Sequence, residues 1–290
     1  MGTTPLPEPQ SLVNDAVRKV TTLATLPEVT ARIIRTVEDP KSTASALHKI
    51  VSHDPPLVTR ILKVVNSSFY GLPGQIGSIE RAIVLLGLNA VKNIAVAASL
   101  GQLFRSARLC EQYSAKDLWT HCVAVAVTSR ELARAMKLSL ADEAFLAGMI
   151  HDVGLLVSLQ LWPEQLRNIC DTSRAGTQTF CEVERAIVGV DHQQLGMGLA
   201  EQWKFPRSCQ LVAGFHHQPQ VLSDDSRLLV TIVHIADTLC CGTSHGFNLT
   251  AHHQTIDPRL LNEMDINPSI VEGVKANLEP LIAAAEASLG

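Results

Sequence analysis

Histidines and aspartates in the second half of the chain have the types and the order of a metal site. The set consists of His121, His151, Asp152, His192, His216, His217 and Asp237. Neutral imidazole nitrogens and anionic carboxylate oxygens together suit divalent iron, manganese, nickel or zinc. The sequence therefore predicts that these side chains converge in one pocket and act as metal ligands.

Each of these residues alone has an ordinary explanation, because a single inward histidine usually bonds to backbone and a single aspartate usually caps a helix. Their settings favour the joint explanation. His151 and Asp152 interrupt an apolar stretch, His216 and His217 are adjacent, and Asp237 lies within an apolar helix. Burying several such polar groups is costly unless they share a partner. A common cation would satisfy them all.

Two further residues lie close to this set in sequence. Asp117 is one turn before His121, so it could be another ligand, a hydrogen-bond partner that orients the His121 imidazole, or a helix N-cap. His234 is three residues before Asp237, and we expect it simply to bond to that carboxylate. Four cysteines without ligand spacing are predicted to be small core residues: Cys122, Cys170, Cys181 and Cys209.

Helices must position these residues, and the composition predicts an all-α fold. Only 4% of residues are aromatic, while Ala, Leu and Val are abundant and Gly and Pro cluster between segments. His121 shares one helical face with Leu118, Val125 and Leu132, so its side chain should point inward. The stretch 144–161 is apolar almost all round, which predicts a buried helix.

Capping residues mark the helix starts in the first half of the chain. Ser42 or Thr43, Asp54 before Pro55, and Ser78 are expected to begin helices, and Leu26-Pro27-Glu28 to begin an earlier one. The sequence pattern over residues 20–105 thus predicts five short helices. Later helices are expected over approximately 179–190, 193–203, 209–217, 226–241 and 268–289.

These elements predict a two-lobed helical protein. We expect a leader over residues 1–19, a lobe of short helices over 20–110, and a bundle of longer helices with a C-terminal helix over 111–290. No period typical of a solenoid repeat is present.

The charge and cysteine content limit the class of protein. A net charge of -4 without a basic run argues against nucleic acid as a partner. The 7 cysteines form no disulfide framework, so reduced thiols in a cytoplasm are expected. The N-terminal residues lack the apolar core of a signal peptide, and no membrane anchor is predicted.

With these features the chain resembles the HDOD family, an offshoot of the HD superfamily of metal-dependent phosphohydrolases, from about Leu23 to Cys241. The front half of the resemblance rests on Asp54-Pro55-Pro56-Leu57, Leu62, Val65-Asn66-Ser67-Ser68, Ile79-Glu80-Arg81-Ala82-Ile83 and Leu86-Gly87. The back half rests on Leu146 to Gly154 with its His151-Asp152 pair, Asp191-His192, Gly196, Trp203, Pro206 and His216-His217.

The resemblance implies an all-helical bacterial signalling or output module without a general enzymatic activity. Related HD-GYP phosphodiesterases use the same ligand series to cleave cyclic di-GMP, together with a lysine after the His-Asp-x-Gly turn. Leu155 occupies that lysine position here, and no Gly-Tyr-Pro signature follows. An apolar side chain cannot balance charge developing on a phosphoryl group.

Three functions follow as hypotheses. The first is a cytoplasmic, non-catalytic regulatory module that binds signalling proteins and keeps a vestigial or structural metal site. The second is a metal-dependent phosphohydrolase acting on a nucleotide or cyclic dinucleotide, with turnover expected to be low. The third is a cyclic-dinucleotide sensor without turnover, for which Arg185 and Arg207 lie near the site in sequence although nothing marks them as special.

Overall fold

The computed structural model describes residues 8–20, 28–39, 41–67, 70–104, 107–243 and 245–289. These residues are mainly helical and contain no strand; turns, bends, irregular connections and one isolated bridge between Arg108 and Ser114 make up the rest, which confirms the predicted all-α class. Residues 1–7 of the leader, the expected helix start at Leu26-Pro27, and Ser68 of the front motif lie outside the described residues.

The first part of the chain contains a helix within the predicted leader and then five short helices. They are α1 Pro9–Lys19, α2 Glu28–Glu38, α3 Ala44–Val51, α4 Pro55–Val65, α5 Ile79–Leu86 and α6 Leu88–Leu100, followed by a 3-10 turn Gly101–Phe104. Thr43, Asp54 and Ser78 accept hydrogen bonds from backbone N–H groups of α3, α4 and α5, as the sequence predicts.

The second part of the chain contains eleven helices among the described residues. They are α7 Ala115–Ala135, α8 Ala141–Ile150, α9 Gly154–Leu161, α10 Pro163–Ala175, α11 Phe180–Ile187, α12 His192–Gln202, α13 Arg207–Phe215, α14 Asp224–Cys241, α15 Pro258–Glu263, α16 Pro268–Ala276 and α17 Leu278–Leu289, with a 3-10 turn Pro219–Val221 before α14.

The expected helix over 268–289 is two helices. α16 ends at Ala276, Asn277 adopts a non-helical backbone, and α17 begins at Leu278. The reason is Pro280, because a proline tolerated in the first turn of a helix would clash with the carbonyl four residues earlier in a helix interior. The break converts one long helix into two that both pack on α7.

Helix α7 is the centre of the fold. It packs against α8, α14, α16 and α17, while α6 contacts both α4 and α8. Buried apolar side chains form one cluster that extends from Val13 in α1 to Ala285 in α17. Helix α1 lies against α12 and α9, and α17 reaches α4. The two ends of the described chain therefore both pack onto the bundle.

One stretch, Ala141–Leu161, is long and apolar enough to cross a membrane by length and composition. It comprises α8 and α9, and 83% of its most apolar window is buried inside the protein. Its apolar character is thus explained by packing in the core, as the sequence predicts for a buried helix interrupted at His151 and Asp152.

Candidate metal centre

All seven predicted ligands lie together in the second part of the chain. His121 belongs to α7, His151 and Asp152 form the turn between α8 and α9, His192 is the first residue of α12, His216 and His217 follow α13, and Asp237 belongs to α14. Six of them are fully buried, and the seventh, His217, keeps 9% of its side chain exposed. The prediction that they converge in one pocket agrees with this placement.

Two glycines allow the ligand-bearing helices to approach each other. A Cβ on Gly154 would lie 1.9 Å from the backbone oxygen of His192, and one on Gly148 would lie 2.8 Å from the Cα of Ala126. Any larger residue would push α9 away from α12, or α8 away from α7. Close backbone contact therefore sets Asp152 beside His192 and His151 beside His121.

The first group of ligands gathers around Asp237. His121, His151 and Asp237 each offer one ligand atom, and these atoms lie within 4.8 Å of one another. The Nε2 of His121 is 3.1 Å from Asp237 Oδ1, and the Nε2 of His151 is 3.8 Å from the same oxygen. Asp152 faces this group with Oδ2, which is 3.4 Å from His151 Nε2.

The second group gathers on the other oxygen of Asp152. Its Oδ1 is 3.4 Å from His192 Nε2 and 3.3 Å from His216 Nε2. His217 completes the group with its Nε2 3.0 Å from that of His192. Asp152 thus faces both groups, one carboxylate oxygen to each, which is an arrangement suited to bridging two cations.

Hydrogen bonds behind four of the imidazoles fix their orientation. The Nδ1 of His151 donates to the carbonyl of Gly148 at 2.8 Å, and that of His216 donates to the carbonyl of Val212 at 3.0 Å. The Nδ1 of His217 lies 2.7 Å from Gln254 Oε1. An Nδ1 proton bonded to such an oxygen leaves the Nε2 lone pair free for a cation.

The fourth orienting contact comes from Glu184, which the sequence reasoning missed. Its Oε2 accepts from the Nδ1 of His192 at 2.6 Å and from the His192 backbone N–H at 2.9 Å. Glu184 is 1% exposed and lies on the same helical face as Phe180 and Val183. A glutamate within the apolar face of α11 was the available signal, because a buried carboxylate requires a partner.

Several ligand atoms are buried without any hydrogen-bond partner. They include Nε2 of His121, His151 and His216, together with one oxygen each of Asp152 and Asp237. Leaving this many polar atoms unpaired would be unfavourable. Lone pairs converging from nitrogen and oxygen donors match the needs of a divalent transition metal, so these residues fit a bound cation.

The electrostatics of the pocket favour anionic carboxylates. Burial alone would raise the pKa of Asp152, but the surrounding imidazoles, His151 foremost, hold that pKa well below its usual value. The close approach of the His121 imidazole and the charge of His151 likewise outweigh burial and lower the pKa of Asp237. Burial, helped by the neighbouring His216, holds the pKa of His217 well below normal, so this imidazole is neutral. Metal binds ionised carboxylates and neutral imidazoles, so a cation entering this pocket would displace the protons that the raised pKa values favour on His151 and His192.

The structure answers the alternatives left open for Asp117 and His234. The Asp117 carboxylate bonds to the backbone N–H and hydroxyl of Ser114, as the third residue of a capping box, and His121 Nδ1 has no hydrogen-bond partner. The expectation that Asp117 ligates metal or orients His121 is therefore wrong, and Ser114 is the N-cap. His234 donates from Nδ1 to the carbonyl of His216 at 2.7 Å rather than to Asp237.

The arginines named for phosphate binding are engaged elsewhere. Arg185 forms an ion pair with Asp191, the N-cap of α12. Arg207 is exposed and contacts Glu201 and Gln210. Neither contact is directed at the ligand pocket, so both arginines pair with neighbouring side chains rather than facing the site.

The segment 245–257, here called the strap, covers the pocket between α14 and α15. Thr250 donates from its hydroxyl to Asp152 Oδ2 at 3.2 Å. Gln254 contacts His217 through Oε1, and its amide donates to the Thr238 hydroxyl at 2.6 Å and to the His234 carbonyl at 3.3 Å. Two side chains of the strap, Thr250 and Gln254, thus contact predicted metal ligands directly.

Two surface clefts border the covered pocket at His217. One has a volume of about 160 Å³ and is lined by strap residues together with Thr179 and Cys181. The other has a volume of about 460 Å³ and contains Arg227 and Arg259, which are paired with Glu263 and Asp257 respectively. His217 is the predicted ligand through which the pocket approaches solvent.

Comparison with known proteins identifies a family that matches most of this chain. The family described as the HDOD domain matches residues 23–219. An uncharacterized protein of Treponema pallidum (strain Nichols) is 24% identical over 213 residues, which is 73% of this chain and 41% of the relative. This chain therefore spans less than half the length of that curated relative.

Solved structures share the fold. An HDOD domain protein of unknown function from Geobacter sulfurreducens superposes with a TM-score of 0.74 at 21% identity, covering 94% of this chain and 98% of that one. A protein of Marinobacter aquaeolei VT8, provisionally named a signal transduction protein, has a TM-score of 0.78 at 20% identity over 97% of this chain and 65% of its own. A protein of Shewanella amazonensis SB2B, provisionally named a phosphohydrolase, has a TM-score of 0.72 at 23% identity, covering 94% of this chain and 96% of its own.

Proposed function

The chain belongs to the HDOD domain family, and from this premise we propose that it is a non-catalytic signalling module that acts by binding other proteins. In this proposal the histidine and aspartate pocket holds divalent metal as a structural clamp. The observation that carries the proposal is the covered state of the pocket, in which Thr250 and Gln254 of the strap occupy the approach to Asp152 and His217.

Lack of room argues against turnover. Pockets that bind small organic ligands usually measure about 300 to 1,000 Å³ and engulf most of the ligand. The cleft that borders Cys181, Thr250 and His217 measures about 160 Å³. Through this cleft, a nucleotide would have to displace the strap to bring a phosphorus atom to the predicted metal ligands.

Lack of a charge-balancing group argues the same way. Leu155, at the position of the lysine in the related phosphodiesterases, is fully buried in α9. Removing one preorganised charge-stabilising group commonly costs about 100- to 1,000-fold in rate. A metal held here would polarise oxygen ligands without that assistance.

A structural role suits the distribution of the ligands. They come from α7, α12, α14 and the ends of α8 and α13, so cations held by the two groups would together join five helices. Metal bound only by the folded state contributes its binding free energy to folding. Iron, manganese, nickel and zinc all suit the donors present.

A second candidate is a metal-dependent phosphohydrolase, favoured by the complete ligand set and by the larger cleft beside His217. That cleft measures about 460 Å³ and contains Arg227, whose Nε is buried without a hydrogen-bond partner. The name of the Shewanella amazonensis neighbour is consistent with this candidate. It predicts turnover wherever the strap opens.

Metal analysis and a turnover assay distinguish the candidates. Purified protein would be loaded in turn with manganese, iron, nickel and zinc, and incubated with cyclic di-GMP and simple phosphodiesters. We expect bound metal in the wild type, none in the double variant His151→Ala and Asp152→Ala, and no turnover in either. The control is His53→Ala, which removes an exposed imidazole away from both the pocket and the strap.

Two outcomes would contradict the proposal. Hydrolysis at about one per second or faster that is lost in the double variant would establish the phosphohydrolase. Wild-type protein that takes up none of the metals would eliminate the structural clamp.

A further inference from the structure

A second cleft lies between the first helices and the bundle, away from the histidine pocket. It has a volume of about 360 Å³ and lies where α4, α6, α7 and the end of α17 meet. Its polar lining includes Arg60 and Lys63 of α4 and Lys116 of α7. Residues far apart in sequence thus bring three cationic side chains to one cavity.

The positive charge of this cleft is uncompensated within the described residues. No acidic residue lines it. Arg60 donates from Nε to the Ala98 carbonyl at 3.1 Å, while its Nη2 is buried with no hydrogen-bond partner. A half-buried guanidinium and two lysines without a carboxylate raise the local potential, which attracts an anion.

The remaining walls of the cleft are apolar. Trp119 and Phe104 line it with ring centroids 5.0 Å apart, and Val64 and Ala98 complete the apolar part. The indole Nε1 of Trp119 already donates to the Leu289 carbonyl at 3.1 Å, so the indole offers no free donor to a ligand. The cleft therefore combines a cationic rim with an apolar wall.

We propose that this cleft binds a small organic anion, in which a sulfonate, phosphate or carboxylate group meets Arg60, Lys63 and Lys116 and an apolar body packs beside Trp119. Neither half of the ligand alone would satisfy both parts of the lining. The site is independent of the proposed signalling role and of metal. Because Trp119 lies two residues before His121 on α7, its occupant would contact the helix that also carries a predicted ligand.

The test uses 1-naphthalenesulfonate as the probe, because it carries both features and cannot be hydrolysed. Titration calorimetry on the full chain compares it with sulfate, which lacks the apolar body, and with 1-naphthol, which lacks the permanent charge. We expect saturable binding of the sulfonate, weakened by added salt, and at least tenfold weaker binding of either fragment.

Charge-neutral variants locate the binding. Lys63→Gln and Lys116→Gln should each weaken sulfonate binding about tenfold, and both lysines are exposed, so the fold should tolerate the changes. Lys49→Gln removes an exposed lysine elsewhere in the first helices and should leave binding unchanged. Absence of saturable binding below about 1 mM, or equal affinity in all three variants, would overturn the proposal.

Discussion

Glu184 and His192 form a buried hydrogen bond in which the imidazole Nδ1 lies 2.6 Å from the carboxylate Oε2. Burial alone would lower the pKa of His192, but the Glu184 carboxylate outweighs it and holds that pKa well above normal. The carboxylate also accepts from the His192 backbone N–H, so it fixes both the ring and the start of α12.

We predict that Glu184→Gln weakens metal binding about 10- to 100-fold, the usual effect of removing a group that orients a ligand. The matched control is Glu182→Gln on the same helix, because glutamine retains the capping role of this exposed residue. Metal affinity measured by competition with a chelator gives the comparison. Equal affinities for both variants would contradict the assigned role of Glu184.

Gln254 provides a test of the strap. Gln254→Ala removes the contact with His217 Nδ1 and the bonds to Thr238 and the His234 carbonyl. We expect metal release to a chelator about tenfold faster or more, and a loss of about 1 to 3 kcal/mol in the free energy of unfolding. The control is Gln220→Ala at an exposed position. Identical release rates would mean that the strap does not hold His217.

Leu155 tests whether one substitution could restore a hydrolase. Because Leu155 is fully buried, we predict that Leu155→Lys lowers the free energy of unfolding by about 3 to 5 kcal/mol, as an unpaired buried charge does. Leu155→Met should cost less than about 1.5 kcal/mol. Chemical denaturation measures both. A stable Leu155→Lys variant with new phosphodiesterase activity would instead place this side chain at a working active site.

We predict that His245 makes the stability of the α17 attachment depend on pH. Its Nδ1 and Nε2 lie 2.9 and 2.6 Å from carboxylate oxygens of Glu286 and Glu279. Burial would lower the pKa of His245, but these two carboxylates outweigh it and raise the pKa above the usual value. A raised pKa stabilises the fold below the pKa of unfolded histidine, and this contribution disappears as the pH rises through the folded pKa.

The measurement is the free energy of unfolding at pH 5.5 to 8.5 in wild type and His245→Asn. The difference between them should be largest at the acidic end and below about 1 kcal/mol throughout, because the pair is partly exposed. Exposed His252→Asn serves as the control. A difference that grows toward alkaline pH would refute the assignment.

The sequence was informative wherever local patterns determine structure. The caps at Thr43, Asp54 and Ser78 depend on residues a few positions apart, so they could be recognised from spacing. The order of the histidines and aspartates was sufficient to select the pocket residues, because their polarity in apolar surroundings demands a shared location. Whether those residues bind metal stays a prediction.

Contacts between distant segments could not be predicted in the same way. Gln254 lies 37 residues from His217, and Thr250 lies 98 residues from Asp152. Neither residue has an unusual neighbourhood in sequence, and their roles arise only when the strap crosses the bundle. The prediction for Asp117 was wrong for the opposite reason. Asp117 is close to His121 in sequence, but its carboxylate bonds locally to Ser114 instead.

The separation of the ligands along the chain has a kinetic consequence. His121 and Asp237 lie at opposite ends of the ligand series, and Asp152 faces both groups, so the pocket is complete only after the long connection between α7 and α14 has closed. Metal would then find its full set of donors late in folding. Interactions that are absent from the folding transition state change mainly the rate of unfolding. A bound cation should therefore slow unfolding strongly while leaving the rate of folding almost unchanged.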